Sequence, residues 1–361
     1  RGLGDVYKRQ EQGYKEDCMA VLDTMVGDMR NGDFAGQASA EVAADAPLWF
    51  FWTLQQLERH IGAKALWEKY GEAMKSILTA YRRGFFGGCV ALHDNGLIWA
   101  SREGYALTWM NNVENGVPVI RREGYAVEVN ALWYNAVSYT LALASKMGDK
   151  EFVSVWKGLP ALTKKSFVEL FAIEGEGWLA DYTDGRTQNR SVRCNQIVAC
   201  GLDYTMLDDE QRVNVLMTVR KHLLTPEGLR SLSPEDEMFE AQYKENPIER
   251  EAASRNGAVW VWPLMFYVQC GISLEGARFL PTAKEILANF DENIQYYCIG
   301  SIAEYFDPNP PFAPRGAISQ ASSVGGLLYI KDVIERCEPK PKRRSAKSDA
   351  GKTSVKNNKK Q

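Results

Sequence analysis

Ten stretches of this chain place apolar residues near every 3.6 positions, while strand-like alternation is scarce. The spacing predicts helices over 14–30, 47–60, 63–82, 127–147 and 150–172. It predicts five more over 191–203, 208–224, 257–271, 275–289 and 319–337. Two boundaries carry their own cues. Asp208-Asp209-Glu210 is an acidic first turn, and Gly148-Asp149 closes one helix before the next opens. Between the helices run connections over 84–126, 174–191, 225–257 and 297–318, rich in Gly, Trp, Asp and Arg. Connections that long inside a helical domain are usually functional. No period of 20–50 residues emerges, so a solenoid of helical hairpins is the weaker reading. One short echo, Arg102–Ala106 repeated at Arg122–Ala126, is assigned no role.

Composition narrows the function classes. A hydrophobic content of 45% with 10 Trp, 16 Tyr and 14 Phe supports a sizeable core and excludes wholesale disorder. No apolar run is long enough to span a bilayer, so no membrane partner is expected. The 7 Cys form no C-x-x-C pair and sit singly in apolar stretches, as Cys200 and Cys270 do, which fits reduced thiols in a cytoplasmic setting. His60, His93 and His222 are too few and too scattered for a His-rich metal site. The net charge of −3 hides two populations, a basic tail over 339–361 with a surplus of eight positive charges and a body with a net of −11. An acidic body argues against nucleic acid as substrate, and the Lys-, Ser- and Asn-rich tail reads as disordered. Residues 1–10 read as a non-native leader of translated-adapter type, so native sequence is expected to begin near Glu11 and the domain over 11–338 to be truncated at its N-terminus.

Several motifs carry a resemblance. Residues 108–111 read TWMN, and 127–135 read VEVNALWYN. Asp45-Ala46-Pro47-Leu48-Trp49-Phe50-Phe51-Trp52 opens the second predicted helix. Asp181, Tyr182 and Asp184-Gly185 precede Arg193-Cys194-Asn195-Gln196. Residues 223–234 read LLTPEGLRSLSP, 256–263 read NGAVWVWP, 300–316 read GSIAEYFDPNPPFAPRG, and 320–324 read QASSV. In this order the segments resemble the amylo-α-1,6-glucosidase family, the C-terminal catalytic domain of glycogen-debranching enzymes. The family counterparts are TWMD, VEINALWYN, D-A-x-LWFFW, GYLYDVVDG, IRPNQ, LLTPYGLRSLSP, HNGTVWPW, GSISEIFDG-x-PP-x-x-PRG and QAWSV.

The resemblance implies an all-α (α/α)6 toroid of the six-hairpin glycosidase type. Paired helices with their long connections at one end agree with it, roughly ten of twelve helices being present. It also implies inverting hydrolysis of α-1,6-linked glucose from a branched glucan, no cofactor, and a β-rich domain upstream. Inversion needs an acid and a base carboxyl roughly 6.5–9.5 Å apart. Glu304, in a loop bracketed by Gly300 and Pro308, matches the family base. The family acid is an Asp where this chain has Asn111, and an amide has no proton to give near neutral pH. Three accounts compete: a neighbouring acid acts, with Glu128 first and then Glu114 or Glu103; the protein binds glucan without cutting it; or Asn111 is a sequence error. Glu128 is equally a helix-start carboxylate favoured by the helix dipole.

The substrate-binding residues implied are Asp45, Trp109, Trp133, Asp184, Arg193, Asn195, Gln196 and Trp260. Asp45 is also a good helix cap, and Arg193 with Asp184 would equally make a structural salt bridge. Trp260 is read as a sugar platform, with Trp262 in the core; Ser322 stands where the family has Trp. There is no G-x-S-x-G, no G-x-x-x-x-G-K-[ST], no H-E-x-x-H and no Cys/His metal spacing.

Overall fold

A computed structural model describes residues 3–29, 43–244, 246–297 and 299–339. The side chains of the leader and the basic tail beyond residue 339 lie outside this description. Thirteen helices are described: α1 (Leu3–Asp28), α2 (Ala46–Ile61), α3 (Ala63–Arg83), α4 (Val127–Met147), α5 (Lys150–Trp156), α6 (Leu159–Phe171) and α7 (Gln196–Gly201). The series continues with α8 (Asp209–His222), α9 (Pro247–Arg255), α10 (Leu264–Glu275), α11 (Leu280–Ala288), α12 (Phe290–Tyr296) and α13 (Ala321–Cys337). Short strands interrupt the connections: β1 (Val90–Leu92), β2 (Ile98–Ala100), β3 (Val113–Glu114), β4 (Val117–Pro118), β5 (Tyr125–Ala126) and β6 (Tyr182–Thr183). After them come β7 (Leu224–Thr225), β8 (Gly228–Arg230), β9 (Val259–Trp260), β10 (Tyr305–Phe306) and β11 (Pro314–Arg315).

α4 is buried along most of its length, as expected of a helix that is apolar nearly all round. It ends where Gly148 takes a left-handed conformation and its N–H caps Ala144 and Ser145. α2, α4, α7, α10 and α13 pack against one another in that order. Tyr329 of α13 then returns to Trp52 of α2 with ring centroids 5.2 Å apart. A ring of five helices closes. α3, α6, α8 and α11 pack against it with one apolar face each.

The fold is mostly helical, and the long connections, expected to lack regular structure, carry a five-stranded antiparallel sheet in the order β11-β10-β9-β8-β7. Several predicted helices are shorter for local reasons. Over 257–271 Val259-Trp260 forms β9, and the helix begins only after Pro263. Over 150–172 the chain breaks at Gly158 and restarts with a Pro in the first turn of α6. Over 191–203 Arg193 pairs with Leu232 in an isolated bridge, leaving only α7 helical.

Candidate active site

Glu304 sits at the mouth of the β10–β11 hairpin. Its backbone N–H donates to Ala317 O at 2.9 Å. Its Oε2 accepts from the Ala317 N–H at 3.0 Å. Arg315 clamps Asp307 bidentately across the hairpin, at 3.0 and 2.7 Å. Gly316 has φ +71°, and a Cβ there would lie 2.5 Å from Glu304 Oε2. Only glycine leaves room for the carboxylate. The hydroxyl of Ser323 donates to Glu304 O at 3.3 Å, fastening the hairpin to α13. Glu304 is half-buried on this frame.

Tyr305 pairs with Trp260 across β10 and β9, and their rings lie 5.2 Å apart. Trp260 meets Trp109 edge-on at 5.3 Å, and Trp109 meets Trp262 at 5.2 Å. Trp260 and Tyr305 centre a small apolar cluster that Tyr243 flanks, and Trp109 and Trp262 join it to the main core. Arg255 lies against it, its guanidinium carbon 4.6 Å from the Trp260 centroid and 5.1 Å from that of Trp109. It is 8% exposed, and its Nε and Nη1 have no hydrogen-bond partner. Burial lowers its pKa, opposed by the charges of Glu251, Glu304 and Tyr305. Burial also pushes the Tyr305 hydroxyl up to about 12, with Tyr243, Glu251 and Glu304 adding to the rise. Glu251, on α9, accepts from Asn112 Nδ2, and Arg255 Nη2 donates to Asn112 Oδ1 at 3.4 Å. Glu251 and Arg255 therefore meet the segment that follows Trp109, and Glu304 stands beside the ring cluster through its neighbour Tyr305.

Beneath Trp109 lies a sealed ionic floor. Trp109 Nε1 donates to Asn195 Oδ1 at 2.8 Å, and Asn195 Nδ2 to Asp181 Oδ1 at 2.7 Å. Arg122 donates to Asp181 from Nε at 2.8 Å and from Nη2 at 3.0 Å. It also grips both oxygens of Glu128, Nη2 to Oε2 at 2.6 Å. Burial lowers the Arg122 pKa, but Asp181 and Glu128 outweigh burial and hold the guanidinium above the ordinary arginine value. Arg193 approaches Asp181 at 3.7 Å and donates to Arg255 O at 2.7 Å and Asn256 Oδ1 at 2.8 Å. The floor thus holds both Trp109 and the end of α9.

The sequence matches the family described as amylo-alpha-1,6-glucosidase over residues 25–329. The chain belongs to that family. Being a glucosidase family, it implies hydrolysis of glycosidic bonds and a glucan substrate. No curated protein matches the sequence. The structure is similar to the crystal structure of an uncharacterized conserved protein from Thermus thermophilus, with TM-score 0.62, 10% identity and 90% of both chains covered. At that identity the likeness shows the fold alone. No helix among the described residues is long and apolar enough to cross a membrane.

Set against the residues that the family resemblance singled out, the structure brings Trp109 onto Trp260, and Trp260 onto Tyr305 next to Glu304; Asn111 lies two positions beyond Trp109 and is half-buried. Others it places elsewhere. Glu128 is fully buried with both oxygens on Arg122, so it has no path to a glycosidic oxygen and is not a credible proton donor. Trp133 is a core indole, fully buried, donating to Gly96 O at 3.2 Å and packed on Tyr81 at 5.3 Å. Asp184 is exposed and accepts from the Arg186 and Thr187 N–H groups at 2.8 and 2.6 Å, a turn cap instead of a partner for Arg193. Gln196 commits its amide to Leu179 N and Arg193 O. Arg193 and Asn195 act one layer back, through α9 and Trp109.

Asp45 does not cap α2 with its side chain. It is buried, its Oδ2 accepts from Trp49 Nε1 at 3.0 Å, and its Oδ1 is unpartnered. Burial raises its carboxyl to about 6. Trp262, expected in the core, is less buried than Trp260 and bridges Trp109 to Trp49, 5.9 Å from the latter. Sequence reasoning missed Asp181, Glu251, Arg255 and Tyr305. The first lies in a segment already matched to the family. Tyr305 does too, while Glu251 and Arg255 needed the helix α9, whose polar sequence reads as loop until Pro247 is seen to start it.

Proposed function

We propose that this protein is an inverting glucosidase that releases single α-1,6-linked glucose units from a branched glucan, with Glu304 as the base. Its five-helix ring is read as the inner wall of an (α/α)6 toroid, with the cleft at the end where β7–β11 gather. The observation that carries the reading is the half-buried Glu304, braced by Gly316 and Ala317, beside the Tyr305–Trp260–Trp109 cluster. Aromatic faces bind the apolar faces of sugar rings, while the carboxylate takes a proton from the attacking water.

One observation favours a second reading, a glucan-binding protein that cuts slowly or not at all: Asn111 has no acidic proton. Glucose release from a branched limit dextrin separates the two. Asn111→Asp is expected to raise that release by up to about 10²-fold, the lower end of what general acid catalysis contributes. A parent that binds the dextrin, releases nothing and gains nothing from the change supports the binding protein.

A further inference from the structure

Resting on the glucosidase reading, we propose that Glu251 is the second catalytic carboxyl, the proton donor whose place Asn111 leaves open. Glu251 stands on α9 and Glu304 on the β10–β11 hairpin, so the two carboxyls approach from different elements. Asn112 links Glu251 to Arg255, whose guanidinium lies 4.6 Å from the Trp260 centroid, and Trp260 meets Tyr305, the residue next to Glu304, at 5.2 Å. Asn112, directly after Asn111, donates to Glu251 Oε2, which ties this carboxyl to the segment where the family acid resides and leaves Oε1 uncommitted. Arg255 is more than nine-tenths buried yet keeps Nε and Nη1 unpartnered, and those donors suit the hydroxyl and glycosidic oxygens of a bound sugar.

Two competing carboxyls, Glu128 and Asp45, fail on access. Glu128 is locked on Arg122, and the open oxygen of Asp45 is sealed from solvent. In the step itself, the Glu251 Oε1 proton passes to the glycosidic oxygen as its bond to C1 breaks. Water attacks C1 from the opposite face and gives its proton to Glu304, yielding glucose of inverted anomeric configuration and the freed glucan hydroxyl. Solvent exchange then returns both groups to their starting protonation.

The test compares Glu251→Gln on two substrates. On isomaltose, whose leaving alcohol must be protonated, the variant is expected to lose roughly 10²–10⁴-fold in kcat. On α-glucosyl fluoride, whose leaving group needs no proton, it is expected to keep most of the parent rate, which also shows that it folds. Glu304→Gln is expected to lose both. Equal loss of Glu251→Gln on both substrates, or no loss on isomaltose, overturns the assignment of Glu251 while leaving the glucosidase reading standing. A parent inactive on both substrates overturns the glucosidase reading, and this inference with it.

Discussion

Two clusters of charge lie within one indole of each other, and they differ in every respect that matters chemically. In the floor, Arg122, Glu128, Asp181 and Asn195 are sealed, and each uses its polar atoms on the others. At the rim, Glu304 and Glu251 are half-buried, and Arg255, against Trp260, keeps two donors unpartnered. A satisfied, dry network holds a shape; a partly unsatisfied one awaits a ligand. Both clusters fall within residues 25–329, the span that matches one enzyme family, so the family match alone does not separate scaffold from chemistry. Accessibility and spare hydrogen-bonding capacity do.

The sharpest way to break this contrast is Arg122→Met. Removing the cation strands Glu128 and Asp181 in a dry interior, with an expected loss of about 3–5 kcal/mol in urea denaturation. A loss within about 1 kcal/mol, typical of a surface pair, would mean the floor is wetter than its geometry implies. Next comes Glu304→Gln, expected to cut glucose release by roughly 10²–10⁴-fold with an unchanged denaturation midpoint. Full activity in that variant removes Glu304 from the mechanism.

Asp45 gives a pH-dependent test. Its folded pKa is raised from 3.8 to about 6 by burial first, with the Glu128 charge adding to it. A carboxyl with a raised folded pKa destabilises the fold once it must ionise. The penalty is absent below the unfolded value, grows as pH rises from about 4 to about 6, and is then complete, on the order of 3 kcal/mol. Asp45→Asn is therefore expected to match the parent near pH 4 and to exceed its stability at pH 7. A stability gap between the two proteins that does not change with pH contradicts the buried, ionising carboxyl. The smallest effect is expected at Asp184→Ala: a slight drop in Tm from the lost turn cap and no change in glucose release. A large activity loss there would move Asp184 from the turn into the site.

Much of the helical frame was legible because burial of one apolar face imposes the 3.6 period, and the predicted spans for α2, α3, α4 and α8 lie close to the observed ones. Glu304 was legible because its Gly- and Pro-bracketed loop is distinctive. Trp133 and Glu128 were misread because a helix signature says which residues cluster but not which face meets the core. Neither Arg255 nor Glu251 stood out, because their partners, Trp109, Asn112, Tyr305 and Glu304, are remote in sequence and reach them only when the loops fold over the ring.

The amino-acid sequence by itself determined the helical class and the family. Apolar periodicity and linear motifs are local properties, readable without knowing what each segment touches. Tertiary structure alone decided which carboxylates are locked in the floor and which stand half-open at the rim. That depends on burial and on hydrogen bonds between segments dozens of residues apart, and no local pattern encodes either.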